Sequence, residues 1–220
     1  MNSVVRISLS PSAEQMARLL ALQQSFAQVC NALAPTVQQT RVWNRVALHH
    51  MAYKGLRERF PALGSQMVCN AIYSVSRAAR TVFQAPGSPF HHSRFAGKPL
   101  PLLRFSDNCP VYFDRHTLSL KGTQASMYTL DGRMRFELAL SSEALEAFHT
   151  RRLLEIILLR QGEGFSLTFT FESVTAALPG PVLAQREGKS AGTAGETPLE
   201  AAWPRGHTAM PQYLQVEETT

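Results

Sequence analysis

The 220-residue sequence predicts an α+β fold: an antiparallel β-barrel with a helical bundle inserted after its first strand, followed by a disordered C-terminal tail. Three observations carry this. Apolar residues recur at helical spacing over 11–85, they alternate with period two in short runs over 102–172, and both patterns fade in a Pro- and Gly-rich stretch over 173–220. The implied segments are a first strand over 1–10, a helical insert over 11–85, a linker over 86–101, a barrel over 102–172 and the tail over 173–220.

The first strand is "VVRISLS", where Val5, Ile7 and Leu9 alternate with Val4, Arg6 and Ser8. Ser10-Pro11 then offers an N-cap with Pro at the first helical position. The helix that follows places Met16, Leu19, Leu20, Gln23, Phe26, Ala27, Cys30 and Leu33 on one stripe, and Pro35 is expected to stop it. A second helix from about Val42 to Arg59 turns Leu48, Met51, Ala52, Leu56 and Phe60 inward, and Pro61 ends it. Gly64 permits the turn into a third helix, whose face of Met67, Val68, Ala71, Ile72, Val75, Ala79, Val82 and Phe83 is broad and apolar. This helix should stop before Pro86, where "QAPGSPFHHSRFAGKPLP" reads as a connection between layers.

Short strands follow in "LLRFS", "VYFD", "TLSLKG", "ASMYTLDGRMRFELAL" and "LLEIILLRQGEGFSLTFTFES", with hairpin turns at Asp131-Gly132 and around Gly162. "SSEALEAFHTRR" fits either a short helix or an extended excursion. This pattern suggests a small barrel of the oligonucleotide-binding type, which the N-terminal strand would join. The tail, with five Pro and five Gly from Ser173 onward, has the composition of a disordered segment.

Composition narrows the function. No apolar run approaches the roughly 18 residues of a membrane span, and the N-terminus has no secretion signal, so a cytoplasmic protein is expected. Cys30, Cys69 and Cys109 are odd in number and far apart, which favours buried free thiols over a disulfide framework or zinc ribbon. The net charge of +6 hides an asymmetry: residues 1–105 hold 12 Lys/Arg and 2 acids, residues 106–220 hold 10 and 14. Such a basic segment points to a polyanionic partner, nucleic acid ahead of a membrane.

Histidine chemistry is unpromising. His49 and His50 point about 100° apart on a helix and do not converge on one ion, and His91-His92 stand in the linker without neighbouring acids. No GxSxG, Walker or HExxH pattern occurs, so no catalytic residue, metal, cofactor or small-molecule substrate is expected. The basic residues are more informative. Tyr53, Lys54 and Arg57 on the second helix and Tyr73, Arg77 and Arg80 on the third lie largely off the apolar stripes, with few nearby acids. Lys and Arg there can meet phosphates and Tyr can stack on a base or sugar, against the plainer alternative of a solvated helix face.

Four blocks in order, "ISLSPSAEQMARLLALQQSFAQVCNALA", "ALHHMAYKGLRERFPALGSQMVCNAIYSVSRA", "CPVYFDRHTLSLKG" and "YTLDGRMRFEL", resemble the TnpB family. These are transposon-encoded RNA-guided DNA nucleases related to the type V CRISPR effectors, and the resemblance spans roughly residues 4–172. It implies a wedge barrel with a recognition domain inserted after the first strand, which together bind guide RNA and the guide–target heteroduplex. Tyr53, Lys54, Arg57, Arg77 and Arg80 would then sit in the recognition helices, and Arg104, Lys121 and Arg133 on the wedge barrel. Asn70 and Ser74 stand where relatives often carry a base. The family's RuvC domain, with its three metal-binding carboxylates and four-Cys zinc insert, has no counterpart after "FTFE".

The expectation is therefore a non-catalytic, TnpB-like protein binding guide RNA and target DNA, working with a separately encoded RuvC nuclease or as a DNA-binding silencer. A truncated transposon remnant, and a protein-interaction module acting through the tail, are the alternatives.

Overall fold

The computed structural model describes residues 2–172 and 210–218. Among these residues the chain is α+β, with four α-helices and antiparallel sheets around one apolar core. None of the helices described is long and apolar enough to cross a membrane.

Strand β1 (Ser3–Ser8) leads into helix α1 (Ala13–Thr40). The helix starts two residues later than the Ser10-Pro11 signal, because Ser12 and Gln15 form a capping box. The Ser12 hydroxyl accepts from the Gln15 amide (3.2 Å) and the Gln15 side chain accepts from the Ser12 amide (2.9 Å). Pro35 does not stop α1. An interior Pro forfeits one backbone bond and costs about 3 kcal/mol. Leu33, Ala34 and Val37 nevertheless continue the buried stripe, and Gln38 Nε2 donates to the Leu100 carbonyl (2.9 Å), so packing carries the helix on to Arg41, a left-handed C-cap at φ 56°.

Helix α2 (Arg45–Arg59) is capped by Asn44, whose Oδ1 accepts from the amides of Val46 (2.9 Å) and Ala47 (3.1 Å). Leu48 and Leu56 are buried and Ala52 and Phe60 half-buried, but Met51, expected inward, is 50% exposed. Helix α2 rests on the core along a narrow strip, and Met51 falls outside it. Helix α3 (Ser65–Ala79) buries its whole expected face and widens into a π turn over Arg80–Gln84. Asn70 and Ser74, too, are buried. A short 3-10 turn at His92–Phe95 interrupts the linker.

With β1, the strands β2 (Leu102–Phe105), β3 (Val111–Phe113), β4 (Leu118–Lys121), β5 (Gln124–Thr129), β6 (Gly132–Glu137), β7 (Leu153–Gln161), β8 (Gly164–Phe171) and β9 (Leu214–Glu217) form three sheets among the described residues, not one closed barrel. One sheet runs β1-β8-β7-β3, a second is the meander β4-β5-β6, and β2 pairs with β9. The pairing of Ser3 with Phe171 through Ser8 with Ser166 brings the two ends of residues 3–171 together, with α1, α2 and α3 between them in sequence. At the end of β2 a side chain takes one edge of the strand. Asn31 of α1 donates to the Phe105 carbonyl and accepts from its amide, both at 2.8 Å, while β9 takes the other edge.

Helix α4 (Ser142–Thr150) settles the "SSEALEAFHTRR" ambiguity. Its Phe148 stands edge-on to Phe169 (4.8 Å) and Phe171 (5.0 Å), over the apolar face of β8. The opposite face of β8 buries Ser166 and Thr168, whose hydroxyls have no hydrogen-bond partner among the described residues.

The tail expectation is corrected at its end. Residues 214–217 are a strand, held to β2 with Leu214 opposite Phe105 and Glu217 opposite Leu102. Residues 173–209 of that expected tail lie outside the described residues.

Candidate nucleic-acid interface

Helices α2 and α3 with the π turn carry six Lys/Arg and one acid between Arg45 and Gln84. Folding sorts these bases into structural and available ones. Arg77 is structural: its Nη1 meets the Glu155 carboxylate, and the Tyr73 hydroxyl donates to the same carboxylate oxygen at 3.0 Å. Glu155 reaches this place through an irregularity in β7, where Leu153 pairs with Phe171 but Glu155 with Thr170, so one extra residue is inserted. The Arg77 guanidinium also lies 5.6 Å from the Tyr112 ring centroid, and Tyr73 meets Tyr112 edge-on at 5.4 Å.

Burial works against the charge on Arg77, but Tyr112, Glu155, Tyr73 and Tyr213 around it outweigh that and raise its pKa. Burial likewise pushes the Tyr112, Tyr73 and Tyr213 hydroxyls upward. All three stay protonated near neutral pH, and the group has the character of a lock between α3 and the sheet.

Arg57 donates to the Leu63 carbonyl and so holds the α2–α3 turn. Tyr53 is half-buried against the core and stacks on His49 at 4.5 Å and 18°. Arg133 donates to the His116 carbonyl (2.8 Å) and to Ser126, and lies 4.3 Å from the Tyr128 ring centroid, bracing the meander. Arg104 on β2 pairs with Glu217 of β9 at 2.9 Å. Lys54, Arg80 and Lys121 are exposed, and their side chains have no hydrogen-bond or ion-pair partner among the described residues. The nine candidates are thus spread over the helical insert, the β2–β9 edge and the meander.

One groove brings a candidate together with residues that sequence reasoning missed. It has a volume of about 410 Å³ and is lined by Gln28, Asn31, Ala32 and Pro35 of α1, Arg59 and Phe60 at the end of α2, and Arg104. The Arg59 guanidinium lies 5.2 Å from the Phe60 ring centroid. The groove gathers two guanidiniums, the Gln28 amide and an aromatic ring, while the Asn31 amide is engaged with the edge of β2. Its lining comes from three segments far apart in sequence, α1, the end of α2 and β2, so no local pattern announced it.

No protein-family model and no curated protein matches this chain.

Proposed function

We propose that this chain is a non-catalytic nucleic-acid-binding protein of the TnpB kind, whose described residues serve as recognition and wedge parts. In this reading it binds a guide RNA, and the heteroduplex that RNA forms with target DNA, through phosphate charge and A-form shape rather than base sequence. The DNA chemistry would belong to a separately encoded RuvC nuclease. The observation that carries the reading is the surplus of bases on α2 and α3, of which Lys54 and Arg80 stay exposed without carboxylate partners among the described residues. The pairing of β1 with β8 around the helical insert supports an oligonucleotide-binding-like wedge. Salt dependence of binding to a structured RNA is the test. With Lys54, Arg80 and Lys121 as contacts, the log–log slope should be about −2 or steeper. Charge reversal at Lys54 and Arg80 should weaken binding for every RNA sequence alike. Absence of binding at low salt refutes the reading.

A further inference from the structure

Trp43, between α1 and α2, is held at two points. Its indole N–H donates to Gln84 Oε1 of the π turn (3.0 Å), and its carbonyl accepts from the Ser76 hydroxyl of α3 (2.6 Å). The half-buried indole is the first of three rings in series. His92 lies 5.8 Å from it, tilted by 47°, and His91 lies 4.4 Å from His92. The linker that carries both histidines is fixed as well. His91 Nδ1 accepts from the Ser93 amide (3.3 Å) and caps the 3-10 turn, while Arg41 at the end of α1 donates to the Phe95 and Lys98 carbonyls.

Unpaired cations accompany these rings. Arg94 follows His92 by two residues within the 3-10 turn, and Arg80 stands one turn before Gln84. Both are exposed, and neither side chain has a hydrogen-bond or ion-pair partner among the described residues. No Asp or Glu occurs between Glu58 and Asp107. His92 is itself exposed, and the π turn that brings Gln84 to Trp43 is a rare device that recurs at functional sites. Rings in series beside free guanidiniums are the parts of a stacking platform for unpaired nucleotides: bases stack on the rings and guanidiniums take the phosphates. An A-form duplex keeps its bases stacked on one another and offers none to such a ring.

Resting on the nucleic-acid reading above, we propose that Trp43, His92, Arg80 and Arg94 form a platform for a single-stranded stretch of the bound RNA. An unpaired base stacks on the Trp43–His92 series, and Arg80 and Arg94 hold its flanking phosphates.

The sequence has one other tryptophan, Trp203, so the full-length W203F protein reports on Trp43 alone. It is titrated with a labelled single-stranded oligoadenylate and with a blunt RNA duplex of the same length in about 50 mM salt, and binding is read by anisotropy. The single strand should quench Trp43 fluorescence and the duplex should not. H92A, made in the same background, should weaken single-strand binding roughly five- to hundredfold, the worth of one stacked base. R80Q and R94Q should each lower the salt slope for the single strand by about 0.7. The quenching arm removes no part of the platform, so it decides the matter even should H92A not fold. The platform is overturned, with the nucleic-acid reading intact, if K54E weakens single-strand binding while bound RNA leaves Trp43 fluorescence unchanged. Folded H92A that binds the single strand as tightly as its parent overturns it as well. RNA binding by none of the proteins would refute the nucleic-acid reading and the platform with it.

Discussion

Replacing Glu155 by Ala should destabilise the protein by about 2–4 kcal/mol. Glu155 is 9% exposed and accepts two hydrogen bonds, from Arg77 and from Tyr73. A hydrogen bond to a charged group nets about 1.5–3 kcal/mol, so the pair sums to roughly 3–6. Two corrections bring this down: Arg77 is 32% exposed and regains water once its partner leaves, and the burial cost of the carboxylate disappears with it. For a protein of this size the loss corresponds to a fall of roughly 6–12 °C in Tm. Urea or thermal unfolding followed by circular dichroism reads it. Arg77→Met should cost a similar amount, and the cycle through the double variant should return a coupling of about 1–2 kcal/mol. If Arg77 belongs to the fold, R77M keeps its RNA affinity within twofold or so when measured well below its Tm. The reasoning is refuted if R77M leaves Tm unchanged and weakens RNA binding as much as Lys54→Met does.

Asn31→Ala removes both bonds to the edge of β2 and leaves the Phe105 amide and carbonyl unpaired, which should cost about 2–4 kcal/mol in urea unfolding. Thr168→Val keeps the shape of a side chain whose buried hydroxyl has no partner among the described residues, and should stabilise by about 1 kcal/mol in the same assay. Burial raises the pKa of the Cys30 thiol well above its ordinary value, with the Cys109 thiol beside it adding to the shift, and burial also raises that of half-buried Cys69. A thiol reagent at pH 8 should therefore label Cys69 slowly in the native protein, and Cys30 and Cys109 only on unfolding.

Helices α1, α2 and α3 were legible because each has a stripe of core residues at constant spacing, and α3 carries the widest. β1 was legible as a strand that would join the later strands, but its pairing with β8 was not, because nothing local names a partner roughly 160 residues away. Pro35 misled because a local rule worth about 3 kcal/mol was outweighed by burial on both sides of it, which no window around the Pro reveals. Met51 misled because a spacing of three from Leu48 tells the direction of a side chain but not how wide the supporting surface is. The charges misled in another way. Arg77 and Arg104 have few acids nearby in sequence, and their partners Glu155 and Glu217 arrive from the acidic half of the chain. β9 escaped notice because four residues after a Pro- and Gly-rich stretch carry too short an alternation, and the strand they complete lies far upstream.

The ladder between β1 and β8 also dictates an order of events during synthesis. Ser3–Ser8 leave the ribosome roughly 160 residues before their partners Ser166–Phe171. Through that interval the nascent strand has no sheet to join, while α1, α2 and α3 can already pack on one another. Helices that assemble locally before a sheet is sealed by contacts distant in sequence make a fast start with a slow finish. During that wait, Val5 and Ile7 are the exposed apolar residues that a chaperone would be expected to shield.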